Sequence, residues 1–215
     1  MHPGARLRTA IYVDGFNLCY RALKDTRHKW LDQRALYREL LRPENDIQRI
    51  RYFTAMISGK RDPGAPIRQQ AYLRALGTTP EVSIHLGRFL VAERWAAIAA
   101  PSLDLLRPSP VTVRVVKTEE KGSDVNLGCF LLRDAYRDDF DVAVVVSNDT
   151  DLVEPIRMVT EDHRQPVGLI CPAATPARSL TKVATFLRHL TPSRLAAAQF
   201  PESISGGRIR KPTSW

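Results

Sequence analysis

The run Val142-Ala-Val-Val-Val146 restricts the folds open to this chain more than any other segment. Five apolar residues in a row, four of them β-branched, are too few for a stable helix and favour extended backbone. Neighbouring side chains of a strand point to opposite sheet faces. A strand with no polar alternation is therefore buried on both faces, as in the middle of a parallel sheet covered by helices.

The rest of the chain supplies the partners that such a sheet needs. Residues 9–13 predict a short strand that runs straight into Asp14-Gly-Phe-Asn17 and a helix-like stretch over residues 18–24. Asp32 is placed to cap a helix reaching Leu41, with Pro43 beyond its end. Further strands are expected over residues 47–57, 81–90, 111–116 and 167–171. Helices are expected over residues 67–76, stopped by Gly77, over about 124–137, and from Asp151 to about His163. Residues 60–66 read as a turn cluster, and 92–110 stay open between a hairpin, a short helix and a loop. Alternating strands and helices predict an α/β domain of three layers, α/β/α, with a mostly parallel central sheet. Ligands of such sheets gather outside the carboxyl ends of the strands. Thr191-Pro192 opens a short helix through Ala198, and the Gly- and Arg-bearing stretch from Pro201 onward reads as a disordered basic tail.

Charge narrows the partner. Lys and Arg outnumber Asp and Glu by 32 to 23, a net charge of +9, and a surface of that sign attracts polyanions, which makes nucleic acid the leading candidate. No run approaches the roughly 20 apolar residues of a membrane span. Residues 1–9 are short and basic, without the apolar stretch of a secretory signal, so a cytoplasmic location is expected. Cys19, Cys129 and Cys171 are scattered in apolar surroundings, which suits buried reduced thiols better than bridges or a zinc site.

Against that basic background, carboxylates stand where the sheet would bring them together: Asp14 after the first strand, Asp124 at a helix start, and Asp149 with Asp151 after the central strand. Each also has a local explanation. Asp14 precedes a glycine and suits an Asx-turn, Asp124 sits in a first helical turn, and Asp151 with Glu154 has the spacing of a capping box. Asp124, however, shares a helix side with Gly128, Leu131 and Ala135, the side expected to face the sheet. An inward carboxylate needs a partner, and several close carboxylates suit a hard divalent cation such as Mg²⁺ or Mn²⁺.

Tyr12-Val-Asp-Gly-Phe-Asn-Leu18, Lys121-Gly-Ser-Asp-Val125 and Val146-Ser-Asn-Asp-Thr-Asp-Leu152 resemble, in order, the three motifs of the PIN-like NYN family. The resemblance covers residues 8–190. It implies a PIN-like, Rossmannoid fold and a metal-dependent ribonuclease, with Asp14, Asp124, Asp149 and Asp151 matching the family's acidic positions. The third motif departs at Asn148, where Gly is usual, and at Thr150 and Leu152, where Ser and Phe are common. Asn17, Ser147 and Thr150 are candidates to support the acidic site, and Lys121 to touch a phosphate. Tyr20, Tyr52 and Trp95 are candidate stacking faces for a single-stranded or structured RNA.

A haloacid-dehalogenase-like phosphatase carries a second Asp two residues after the first, where this chain has Phe16. A Toprim-like domain uses Glu at its first acidic strand, where this chain has Asp14. The non-enzyme alternative is an RNA-binding regulatory module with this fold and little turnover. An exposed site that cut any RNA would be harmful, which leads to the expectation of a homodimer, a regulatory partner or a narrow substrate range.

Overall fold

Val142 to Val146 is the fourth of six parallel strands in one sheet. The chain is described by a computed structural model over residues 6–60, 62–98 and 112–215. The sheet is built from β1 (Leu7–Asp14), β2 (Asn45–Thr54), β3 (Val82–Leu86), β6 (Val142–Val146), β7 (Val167–Cys171) and β8 (Phe186–His189), in the order β3-β2-β1-β6-β7-β8. Ile11 lies beside Ile50 on one side and Val144 on the other. The order reverses between β1 and β6, and this switch point is where an open α/β sheet leaves a crevice.

The alternation expected of a doubly covered sheet is present residue by residue. Ile11, Val13, Val142, Val144 and Val146 enter one core with Leu36 and Tyr37 of α2 (Gln33–Leu40) and Ala75 and Leu76 of α3 (Gly64–Leu76). Ala10, Tyr12, Ala143 and Val145 enter the other, with Leu127 and Leu131 of α4 (Ser123–Tyr136), Ile156 and Val159 of α5 (Val153–Glu161), and Leu180 of α6 (Arg178–Val183). The three-layer α/β/α arrangement with a parallel central sheet is thus the observed one. On the second face Asp134 is fully buried, yet satisfied by the Tyr12 hydroxyl at 2.8 Å and by Arg51 Nε at 2.8 Å.

Local chemistry sets several ends. Asp32 caps α2 by accepting from the Ala35 N–H, and Thr191 caps the short α7 (Pro192–Ala197). Gly15 opens α1 (Gly15–Leu18), which runs into a π-helical turn over Cys19–Leu23. A Cβ at Gly15 would lie 2.7 Å from the Phe53 carbonyl and from the Tyr52 ring, so only glycine lets this turn sit against β2.

Four expectations need correction. The strand expected over residues 81–90 ends at Leu86, and after Gly87 a new strand, β4 (Arg88–Ala97), pairs antiparallel with β5 (Thr112–Lys121). This ribbon replaces the shorter strand and charged connection expected over 111–123. It resolves part of the open 92–110 stretch, whose residues 99–110 lie outside the described residues. The C-terminal stretch is folded: β9 (Ser203–Ile204) pairs with β10 (Ile209–Arg210), and Trp215 packs 5.9 Å from Tyr72 and 6.3 Å from Trp30. Ile204, Ile209 and Trp215 give that basic segment an apolar side that joins the core. Cys129, expected buried, is exposed, while Cys171 is buried and Cys19 half-buried. Finally, α6 lies in a stretch for which no element was expected, where Ala177 and Leu180 pack on the sheet. Among the described residues, no helix is long and apolar enough to cross a membrane.

Candidate metal centre

The end of β1 and the loop after β6 flank the switch point, and the amino end of α4 closes over it. Asp14, Asp124 and Asp149 each offer a carboxylate oxygen there, all within 4.8 Å of one another. That spread is close to the ~4 Å separating opposite ligands of a Mg²⁺ bound at ~2.1 Å. Asp14 is buried, and Asp124 and Asp149 are half-buried.

The carboxylates are held by short-range bonds. Asp14 Oδ1 accepts from the Asn17 N–H at 2.9 Å, which caps α1, and Oδ2 accepts from the Ser147 hydroxyl at 2.9 Å. Ser147 Oγ in turn accepts from the Asp149 N–H at 3.0 Å, so one hydroxyl sets the spacing between two of the acids. Asn17 Oδ1 accepts from the Asn148 N–H at 3.0 Å and ties the first motif to the third. Asp149 Oδ1 accepts from the Asp151 N–H at 3.0 Å and caps a 3₁₀ turn over Thr150–Leu152.

The electrostatics are those of closely set, partly buried carboxylates. Burial first, then the charges of Asp14, Asp149, Glu120 and Asp151, pushes Asp124 up to about 6. Burial also pushes Asp14 up, against hydrogen bonds from Asn17 and Ser147 that favour its charged form. Asp14, Asp124 and Asp149 form no ion pair with any described Lys or Arg. The donor set and its unbalanced charge fit a divalent cation held by oxygen ligands.

The other anticipated residues divide. Asn17 and Ser147 bond the acids directly. Asp151 and Thr150 are exposed, and Asp151 lies outside the cluster of three while adding its charge to the field at Asp124. The capping box expected at Asp151 is absent: Asp149 is the cap, and Glu154 pairs with Arg157. Lys121 is exposed and paired with Glu119 at 3.2 Å. Asn148, which stands where the motif usually has Gly, accepts through Oδ1 from the Ala177 N–H at 2.7 Å and anchors the loop before α6.

Of the outer wall, sequence reasoning named Tyr20 and missed the rest. A cavity of about 310 Å³ over the acids is also lined by Phe16, Tyr20, Arg21, Phe89 and Glu120. Glu120 Oε1 accepts from the Ser123 N–H at 3.1 Å, just beyond Gly122, whose φ of 101° turns the ribbon into α4. A Glu three residues before a helix start, separated from it by a glycine, was the available signal.

The NYN domain profile matches residues 8–190. The chain is 32% identical over 240 aligned residues to the 6-hydroxy-3-succinoylpyridine 3-monooxygenase of Pseudomonas putida, covering 97% of this chain and 75% of that protein. A crystal structure of a Vibrio parahaemolyticus protein of unknown function superposes with a TM-score of 0.58 at 16% identity, over 89% of this chain and 98% of that one, a likeness of fold. The chain belongs to the NYN domain family.

Proposed function

From that membership, we propose that the protein is a ribonuclease that hydrolyses RNA phosphodiester bonds with Mg²⁺ or Mn²⁺ held by Asp14, Asp124 and Asp149. Asp151 completes the site directly or through water. The observation that carries this reading is the convergence of three carboxylate oxygens within 4.8 Å at the switch point, with no cationic side chain among the described residues paired to them. A divalent cation held by these three residues would make hydroxide available at neutral pH and offset charge on the phosphoryl transition state. The chain's own part is positioning. Ser147 and Asn17 fix the Asp14 carboxylate, Ser147 and the 3₁₀ turn fix Asp149, and Arg21 at the cavity rim meets the incoming phosphates. Thr150 and Lys121 lie further out, as contacts for the strand as it leaves. A cytoplasmic setting and a restraining homodimer or regulatory partner fit such an activity.

A second reading comes from the Pseudomonas putida relative, a monooxygenase by name: hydroxylation of a small heteroaromatic acid. The identity over nearly the whole chain favours it. The donor set favours hydrolysis, because three carboxylates without histidine suit Mg²⁺ or Mn²⁺ better than the redox metals that prefer imidazole.

One experiment separates the readings. End-labelled single-stranded RNA is incubated with the protein and Mn²⁺, Mg²⁺ or EDTA, beside Asp149→Asn, while 6-hydroxy-3-succinoylpyridine is incubated in air with a nicotinamide reductant. Metal-dependent RNA products that fall more than about 100-fold in the variant support the nuclease. Intact RNA with a hydroxylated pyridine product assigns the second reading. Intact RNA that is still bound assigns the regulatory module.

A further inference from the structure

Beside the metal centre, on the other side of Phe16 and Tyr20, lies a second cavity of about 290 Å³. That is the low end of the ~300–1,000 Å³ typical of ligand pockets, room for one ring system and little more. Gly15, next to Asp14 in the chain, lines it, so an occupant sits directly alongside the acids. Its walls are aromatic: Tyr20, Tyr52, Tyr72 and Trp215. Tyr52 and Thr54 also line it, and although the residues are only 5% and 3% exposed, their hydroxyls make no hydrogen bond to a described residue and are not among the sealed, unpaired polar atoms, so both stay accessible. Two accessible hydroxyls with no protein partner, set among aromatic rings, are free to bond the polar edge of an occupant. Lys24 and Lys29 stand at its rim, with Lys24 Nζ 5.2 Å from the Tyr20 ring centre.

We propose that this cavity is a subsite for one unstacked nucleobase of the strand being cut. Tyr52 and Thr54 bond the base edge, Tyr20 supplies a stacking face, and Lys24 and Lys29 hold the phosphate attached to that nucleoside. The proposal rests on the nuclease reading for its place in catalysis. The chemistry recognised is a planar ring with a hydrogen-bonding edge and a nearby anion, which a nucleotide and a free aromatic acid share in part.

The test is calorimetric titration of the full chain, in EDTA, with adenosine 5′-monophosphate, ribose 5-phosphate and 4-hydroxybenzoate. The mononucleotide is expected to bind at least about 10-fold more tightly than the other two, the gain of a stacked base. Tyr52→Phe keeps the ring and loses the hydroxyl, and is expected to weaken mononucleotide binding about 2- to 10-fold while leaving ribose 5-phosphate unchanged. Tyr20 is 60% exposed, so Tyr20→Ala leaves the fold intact, and it should cost about 5-fold or more in mononucleotide binding. Equal affinity for the two phosphates, or mononucleotide binding indifferent to both variants, overturns the subsite. Tighter binding of 4-hydroxybenzoate overturns it in favour of a free aromatic acid. Mononucleotide binding without any metal-dependent RNA cleavage keeps the subsite and removes the nuclease, whereas cleavage without mononucleotide binding does the reverse.

Discussion

At Asp14 the capping role and the metal-binding role are one arrangement. Its two oxygens accept from the Asn17 N–H and the Ser147 hydroxyl, and each keeps a second lone pair for a cation. Ser147 is the residue whose loss should tell most, since it bridges Asp14 and the Asp149 backbone. Ser147→Ala is expected to lower Mn²⁺ affinity, and cleavage with it, about 10- to 100-fold, read from the Mn²⁺ dependence of the melting temperature and of RNA products. Asp124 gives a pH prediction. Its pKa is raised from 3.8 to about 6 in the folded metal-free protein, so the folded state holds more protons than the unfolded state between those values. The stability contributed by the neutral carboxyl is then present below pH 3.8 and lost as pH rises through about 6. In EDTA, Asp124→Asn should gain melting temperature relative to the parent on going from pH 5 to pH 7. Saturating Mg²⁺ should remove that gain by stabilising the parent. A difference between the two proteins that does not change with pH would contradict the raised value.

Elements explain why some of this was legible in the sequence and some was not. β1, β6 and β7 were readable because burial on both faces leaves unbroken apolar runs, and α2 because Asp32 and its apolar side announce a cap and a face. Asp14 and Asp149 were readable because they end or follow such a strand, and Asp124 because it opens a helix on the side that faces the sheet. The capping partner was not: Asp149 and Asp151 are two residues apart and chemically identical, and only the turn's geometry selects the first. The β4–β5 ribbon was also hard to read, because it is exposed along most of its length and carries no buried face to impose a period. Gly15 provides the test at this scale. Gly15→Ala forces a Cβ to 2.7 Å from the Phe53 carbonyl and the Tyr52 ring, which separates α1 from β2. The expected cost is about 1–3 kcal/mol in denaturant unfolding, with a larger proportional loss of cleavage, because the displaced turn carries Asn17 away from Asp14.

At the scale of the whole molecule, the acidic centre is a local exception in a chain of net charge +9. On the proposed nuclease reading, the surrounding field would draw a polyanion in, and the centre would admit phosphate only once a cation is bound. RNA binding in EDTA by Asp149→Asn should therefore weaken steeply with salt. For about four phosphate contacts the loss is roughly 50-fold between ~50 and ~200 mM, measured by fluorescence anisotropy of a labelled strand. A flat salt response would place recognition on the bases alone. The basic C-terminal stretch is part of the folded body, with Trp215 reaching both Trp30 in the core and the cavity beside the acids. The ribbon is the opposite kind of part. It contributes Phe89 and Glu120 to the mouth of the site, yet its outer strands bury little and hold up none of the six-stranded sheet. Glu120 apart, which bonds the start of α4, the ribbon's share of the entrance is thus written in residues on which folding makes few demands. A lineage could redraw what passes through that entrance, substitution by substitution, without touching the machinery behind it.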